Sequence, residues 1–299
     1  MNLLDSKDIE DQGNNGTIQN TDSSFCYKGQ LQNGLIHGKG HIEIKEVLTY
    51  DGELVYNKPS QCYSGKGVIS FLGDLSVYNG EWNNGKRDGF GSYEFSKDNE
   101  TFVTYQGNWK NDKLQGEGQL VFKNSDLYNG EFIKNKKEGY GVLDFSDQNK
   151  NYVKYEGEFQ NDKLNGKGYL YYKNGDVYQG DFLNNKREGY GQYIYSDTNE
   201  QMIKYFGKWQ NDKPHGLGEI YFKNNSVFTG EMDYETCQGN GTYLYGDKDA
   251  SRDKYIGDFK NFMPNGKGQM FYRNRACYIG DWKDGMKDGY GELTYGNEH

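Results

Sequence analysis

Eight consecutive residues, Gly80-Glu81-Trp82-Asn83-Asn84-Gly85-Lys86-Arg87, come close to a phosphate-binding loop, in which a glycine-rich turn cradles phosphates and a lysine reaches them. Arg87 stands where that chemistry needs a Ser or Thr hydroxyl for magnesium, and no helical pattern follows Gly85. Pairs such as Gly89-Phe90-Gly91 never extend to Gly-x-Gly-x-x-Gly between a strand and a helix, so no dinucleotide fingerprint is present. His37, His41, His215 and His299 form neither a nucleophile triad nor a metal set; on a strand His37 and His41 would share a side but stand about 13 Å apart. Cys26, Cys62, Cys237 and Cys277 share no repeat position and no Cys-x-x-Cys spacing, and read as free thiols of a reducing compartment. The sequence calls for no cofactor and no metal, and a protein that is not an enzyme is expected.

Those residues sit in a repeating frame. With Tyr78 as position zero, Gly80 falls at +2, Trp82 at +4, Gly89 at +11, Gly91 at +13 and Phe95 at +17. The frame restarts at Tyr27, Tyr50, Tyr78, Tyr105, Tyr128, Tyr155, Tyr178, Tyr205, Phe228, Tyr255 and Tyr278, eleven copies in all. From Tyr78 onward the starts lie alternately 27 and 23 residues apart, so the full period is a pair of copies spanning 50 residues. Inside a copy the pattern alternates with period two. Tyr78, Gly80 and Trp82 fall on one side of a strand, and Gly89, Gly91, Tyr93 and Phe95 on one side of the next. Each copy is therefore a predicted β-hairpin, its turn drawn from Asn83-Asn84-Gly85-Lys86-Arg87-Asp88. The connection to the next hairpin is tight in one class, as at Lys173-Asn174-Gly175-Asp176, and four residues longer in the other, as at Ser146 to Asn151.

The expected fold is all-β: an elongated, twisted and curled single antiparallel sheet of tandem β-hairpins over residues 25–299, in which each hairpin contacts only its neighbours. At about 4.8 Å per strand such an array runs on the order of 100 Å. Residues 1–24 are acidic and polar, too poor in apolar surface to offset chain entropy, and are expected to form a disordered tail.

Tyr78-Asn79-Gly80-Glu81-Trp82 with Gly89-Phe90-Gly91, and Tyr155-Glu156-Gly157-Glu158-Phe159 with Gly166-Lys167-Gly168, resemble the MORN repeat, and the resemblance covers roughly nine-tenths of the chain. Two copies depart from it: the turn after Tyr50 carries extra residues, so its glycines fall at Gly65 and Gly67, and the ninth copy has Phe228 and Met232 in place of the usual aromatics. Arrays of this kind occur in radial spoke heads and other axonemal structures, and cytoskeletal members pair into elongated dimers. The resemblance thus implies a cytoplasmic, cytoskeletal scaffold of the cilium or flagellum axoneme, with a homodimer as a further implication. Such arrays also precede the catalytic domains of plant-type phosphatidylinositol phosphate kinases and of a SET-domain methyltransferase, for which this chain leaves no stretch.

Three surfaces are candidates for function. On the inner face Tyr105 with Trp109, Tyr128 with Phe132, Tyr155 with Phe159, Tyr178 with Phe182 and Tyr205 with Trp209 would form an aromatic strip. Such a strip suits an amphipathic helix or sheet edge of a larger complex, and its rings would also pack on one another and on glycine. At +8 a ladder of lysines, Lys86, Lys113, Lys136, Lys163, Lys186 and Lys213, reinforced by Arg87, Lys137 and Arg187 at +9, could meet anionic lipid headgroups, although nearby carboxylates would damp its field. The opposite face turns apolar toward the C-terminus, where Tyr171, Tyr221, Leu244, Phe271 and Tyr290 could dock on another protein or a second copy.

The balance of 44 acidic against 35 basic residues, a net charge of −9, argues against generic nucleic-acid binding. No apolar run approaches the roughly 18 residues of a membrane span, and the N-terminus has neither a signal-peptide pattern nor a myristoylation glycine. The leading expectation is a scaffold that binds other proteins; the competing one is a peripheral phosphoinositide-binding tether between membrane and cytoskeleton.

Overall fold

The computed structural model describes residues 7–12, 15–55, 64–233 and 236–296, and every regular element among them is a strand, twenty-four in number. The chain forms two compact units, Met1–Gln148 with Phe159–Asp162 and Asn149–Glu158 with Lys163–His299. In each unit successive strands pair antiparallel with their neighbours in sequence, giving an open sheet of tandem hairpins.

The register follows from the period-two pattern. In the first unit Val77–Asn83 pairs with Lys86–Glu94, setting Tyr78 opposite Tyr93 and Gly80 opposite Gly91. Lys86–Glu94 then pairs with Phe102–Lys110, where Gly91 meets Gly107 and Tyr93 meets Tyr105. The second unit repeats this with Tyr178 opposite Tyr193 and Gly180 opposite Gly191. Glycines thus form one row across the strands and aromatic residues form the next. Both aberrant copies remain hairpins: Gly52 still faces Gly67, and Gly230 still faces Gly241. Residues 56–63, which hold the extra turn residues and Cys62, lie outside those described.

Three details differ from the sequence expectation. The hairpin turn is only Asn84-Gly85, with φ of 49° and 73°, and the strand resumes at Lys86. Of the other residues of the expected turn, Asn83 pairs with Lys86 and Arg87 with Trp82 in the ladder, and Asp88 opens a bulge in which Asp88-Gly89-Phe90 oppose Glu81 and Gly89 takes φ 109°. The tight connection is wider than an Asn-Gly pair. Gly175 N–H donates to the Tyr172 carbonyl at 3.0 Å, and Tyr172 N–H donates to the Asp176 carbonyl at 3.0 Å, enclosing Lys173-Asn174-Gly175.

The sheet also starts before residue 25, where a disordered tail was expected. Asn15–Asn20 is a strand antiparallel to Phe25–Gln32, with buried Ile18 opposite buried Tyr27, and Lys7–Gln12 pairs with it in turn. One apolar side chain and a free sheet edge suffice to recruit a polar strand, because the ladder hydrogen bonds are available whatever the side chains. Residues 1–6 of the expected tail lie outside those described.

Candidate functional site

Every copy except that of Phe228 is built around a position-zero tyrosine. The ring lies flat over the facing glycines, and a Cβ on Gly80 would stand 2.5 Å from the Cα of Gly91 and 2.6 Å from Tyr78 Cζ, so only hydrogen fits there. The phenol O–H donates to the carbonyl three residues on, from Tyr27 to Gln30 at 2.7 Å, Tyr105 to Asn108 at 2.9 Å and Tyr205 to Lys208 at 2.8 Å. Burial pushes the Tyr27 phenol up to about 12 and also raises Tyr78, Tyr105, Tyr128, Tyr178, Tyr205 and Tyr255, so these hydroxyls act as neutral donors.

The +4 ring closes the seat from the side. In the first unit Trp109 meets Tyr105 at 5.2 Å and the preceding Tyr78 at 5.5 Å, both edge to face, and its Nε1–H donates to the Gly91 carbonyl at 3.3 Å. In the second unit Trp209 meets Tyr178 at 5.1 Å and donates to the Gly191 carbonyl at 3.2 Å. The acid of the Tyr-x-Gly-Glu motif caps the bulge: Phe90 N–H donates to Glu81 and Tyr190 N–H to Asp181, at 3.3 and 3.1 Å.

This arrangement corrects the expected groove. Tyr105, Trp109, Tyr128, Phe132, Tyr155, Phe159, Tyr178, Phe182, Tyr205 and Trp209 are all buried, none more than 5% exposed, and Trp109, Phe132, Tyr205 and Trp209 reach the lining of the depressions described below. They are the core of the array, each ring removed from water contributing on the order of 2 kcal/mol. What a partner meets is the layer above.

That layer carries fixed charges. Arg87 Nε lies 3.2 Å from Asp112 Oδ1, and its guanidinium sits 4.2 Å from the Trp109 ring centre and 5.1 Å from that of Tyr93. Arg187 repeats this with Asp212 at 3.3 Å and Trp209 at 4.3 Å. Lys137 holds its ammonium 5.3 to 5.5 Å from Phe122, Tyr128 and Phe159, while its backbone N–H donates to Asp162 at 2.9 Å. Burial lowers the Lys137 pKa, against the opposing pull of Asp162 and Asp126. The +9 cations are therefore ring-stacked and paired with the next copy's turn, and do not reinforce an exposed ladder. Sequence reasoning overlooked the pairing because the partners are 25 residues apart. The recurrence of that interval was its only signal.

Around these charges each unit has a depression. In the first, about 500 Å³, Arg87, Lys137, Asp112 and Asp162 stand among rings including Phe102 and Phe122. In the second, about 510 Å³, Arg187, Lys213 and Asp212 stand among Tyr193, Met232 and Phe262. No group of three or more His, Cys, Asp or Glu side chains suited to a metal ion occurs among the described residues.

A family model described as MORN repeat matches nine stretches of the sequence: 27–43, 78–100, 105–127, 128–150, 155–177, 178–200, 205–227, 255–276 and 278–299. The chain belongs to the MORN repeat family. The stretches passed over contain the copies at Tyr50 and Phe228, the two whose residues depart from the pattern. Among solved structures, the chain is similar to the TCP10 domain of Danio rerio CPAP in complex with a STIL peptide, at 10% identity and a TM-score of 0.37, covering 80% of this chain and 93% of that one. It is also similar to the TCP domain of Drosophila melanogaster SAS-4 in complex with a proline-rich motif of Ana2, at 14% identity and a TM-score of 0.30, covering 61% and 85%. No curated protein matches the sequence.

The two other predicted surfaces of the MORN copies are placed as follows. Lys86, Lys113, Lys136, Lys163, Lys186 and Lys213 are all exposed at the strand starts. In the first unit Lys136 Nζ donates to Asn161 at 2.9 Å; in the second Lys163 donates to Asn184 at 3.2 Å and Lys186 to Asn211 at 3.0 Å. These acceptors are neutral. Carboxylates stay beside the ladder without pairing these lysines: Glu138 accepts from the N–H of Asn161 and Glu188 from that of Asn211, the same asparagines that accept from Lys136 and Lys186. On the opposite face of the second unit, Tyr171, Tyr221 and Phe271 lie beneath Lys154, Lys204 and Lys254, whose ammonium groups sit 4.7, 4.4 and 4.8 Å from the ring centres. The chain thus roofs three of the five expected docking residues itself, while Leu244 is exposed and Tyr290 is 91% exposed.

Proposed function

We propose that this chain is a non-catalytic scaffold that holds segments of other proteins in a large cytoskeletal assembly. The observation that carries the reading is the layer above the aromatic core, where ring-stacked Arg87 and Arg187 and their carboxylates border an aromatic depression in each unit. Such a surface supplies what peptide recognition requires: large apolar area, few rotatable groups, and charges fixed before the partner arrives. Within this reading the setting is cytoplasmic and cytoskeletal, in the axoneme of a cilium or flagellum as the resemblance to radial spoke proteins implies, and pairing into a homodimer belongs to the same expectation.

A second reading, a phosphoinositide-binding tether, is favoured by one observation: Lys136, Lys163 and Lys186 donate to neutral asparagines and keep their charge for an anion. Affinity purification of the native protein under mild salt, combined with liposome co-sedimentation, separates the two. The scaffold reading expects defined co-purifying chains and no pelleting. Phosphoinositide-dependent pelleting abolished by Lys136→Glu with Lys186→Glu, with no co-purifying protein, would replace it with the tether.

A further inference from the structure

The cap of the bulge fails in one copy. At +3 every copy but that of Tyr205 carries a side chain with an acceptor atom, from Gln30 in the first to Asp281 in the last. In six of them that side chain takes a bulge N–H at 2.8 to 3.3 Å: Gln30 from Lys39, Glu81 from Phe90, Glu158 from Lys167, Asp181 from Tyr190, Asp258 from Lys267 and Asp281 from Tyr290. The Tyr205 copy has Lys208 there, an ammonium with donors and no acceptor. Its bulge is nevertheless the same. Gly207 pairs with Gly218 and Trp209 with Pro214, so His215-Gly216-Leu217 oppose Lys208, and Gly216 takes φ 69° where Gly189 takes 66°. The Leu217 N–H, counterpart of those of Lys167 and Tyr190, thus lies beside a cation in place of its carboxylate.

The surroundings of Lys208 are apolar and exposed. Phe206 and Lys208 stand at odd positions of the copy, on the face opposite buried Tyr205 and Trp209. Tyr190 is the register partner of Lys208, with its ring centre 5.7 Å from the ammonium, and is 56% exposed; Phe206 is 47% and Leu217 63% exposed. Tyr190 and Phe206 line a depression of about 410 Å³ on this face. No carboxylate among the described residues pairs with Lys208: Asp181 takes the Tyr190 N–H and the Lys167 ammonium, and Glu219 accepts the Tyr221 hydroxyl. The combination belongs to this copy alone. The positions of Tyr190, Phe206, Lys208 and Leu217 are held one period earlier by Tyr140, Glu156, Glu158 and Lys167, and one period later by Asn240, Ile256, Asp258 and Lys267.

We propose that this face of the Tyr205 copy docks a segment of a partner protein through an Asp or Glu side chain. Its carboxylate takes the Leu217 N–H beside the Lys208 ammonium, as the chain's own carboxylates do at the bulges of Phe90, Lys167 and Tyr190, and an adjoining apolar side chain covers Tyr190, Phe206 and Leu217. The proposal rests on the scaffold reading for a protein partner, and adds a surface on the face opposite the depressions of the aromatic layer.

The test is selection of peptides from a random phage-displayed library on the full chain, followed by affinity measurement on the synthetic peptides. One class should carry Asp or Glu within about two residues of Trp, Phe, Leu or Met, a reach set by the extended chain. Lys208→Glu installs the residue type that caps other bulges, so it folds, and it should weaken this class about tenfold or more. Phe206→Glu, the residue of the preceding period, should weaken it about threefold or more. Lys248→Glu, in an exposed loop of the same unit, should leave it unchanged. Amide hydrogen exchange supplies a second readout: in the free chain the Leu217 amide should exchange faster than those of Lys167 and Tyr190, and bound peptide should slow it. If no selected peptide is weakened by Lys208→Glu, if those weakened lack Asp and Glu, or if the Leu217 amide is as protected as that of Lys167 in the free chain, the proposal alone is overturned. A library that yields no binders also overturns it, and with no protein co-purifying from native extract the scaffold reading falls too. Lys208-dependent binding confined to phosphopeptides or anionic vesicles overturns the choice of a carboxylate-bearing segment.

Discussion

Arg187 with Asp212 and Cys237 with Phe262 occupy the same two seats one 50-residue period apart, and one pair is ionic while the other is apolar. The strands around them keep the same register: Gly180 faces Gly191, and Gly230 faces Gly241. The array therefore requires the space above the position-zero ring to be filled, and accepts either chemistry. That agrees with the general behaviour of partly buried ion pairs, whose desolvation cost offsets much of their attraction, so that a well-packed apolar pair can replace them. Three further differences accompany the apolar pair. Phe228 replaces the tyrosine, Met232 the +4 aromatic, and the phenol-to-carbonyl hydrogen bond made by Tyr178 and Tyr205 is absent. A copy can be re-chemistried as a unit while its backbone stays the same, which is how one repeat comes to present different surfaces.

The largest effect expected from breaking this correspondence is that of Cys237→Arg alone. A guanidinium placed over Phe228 and Phe259 with no carboxylate at position 262 is an uncompensated buried charge, and the loss should be about 3–5 kcal/mol in urea unfolding. Next comes alkaline pH. The Tyr27 phenol is raised from 10.0 to about 12, so the stability supplied by its neutral form is complete below pH 10.0 and is lost as pH climbs toward about 12. Tyr178 and Tyr205 are raised in the same direction, while Phe228 offers no phenol at that position, and the group that burial raises beneath it is the Cys237 thiol, to about 11. Urea midpoints should hold up to the lower value and fall above it, with phenolate absorbance appearing as the chain unfolds.

A smaller effect separates the two kinds of seat by glycine substitution. A Cβ on Gly191 would stand 2.5 Å from Tyr178 Cε2, whereas one on Gly241 would stand 3.0 Å from the Thr229 carbonyl and 3.1 Å from Phe228 Cε2. Gly191→Ala should therefore cost about 1–3 kcal/mol, and Gly241→Ala clearly less. Equal losses would show that the Phe228 seat is as tight as the tyrosine seats. The smallest change expected is Phe228→Tyr, which restores a hydroxyl within reach of the Glu231 carbonyl and should stabilise by about 1 kcal/mol.

Much of the fold was legible in the residues. Tyr, Gly and Trp recurring at alternate positions could only be one side of a strand, and the positions of Gly89 and Gly91 set where the second strand had to face the first. The completeness of burial was not legible. Alternation says that Tyr105 and Trp109 share a side and can pack on one another and on glycine, but not that this packing leaves them 0% and 4% exposed. The pairing of Arg87 with Asp112 was hidden for a different reason. In the chain Asp112 adjoins Lys113, and adjacency suggested that it screens the lysine; the turn instead presents it to the preceding copy. The strand at Asn15–Asn20 was missed because its side chains are mostly polar and the neighbouring sheet edge supplies its reason to form.

The central claim is that the residues 25 positions apart act as one exchangeable unit, and a double-mutant cycle at Cys237 and Phe262 tests it most directly. Urea unfolding of the parent chain, Cys237→Arg, Phe262→Asp and the double variant should show that the second substitution recovers most of the loss caused by the first, with a coupling energy of about 2 kcal/mol or more. Losses that simply add, to within about 0.5 kcal/mol, would show that the two seats are independent and would contradict the account.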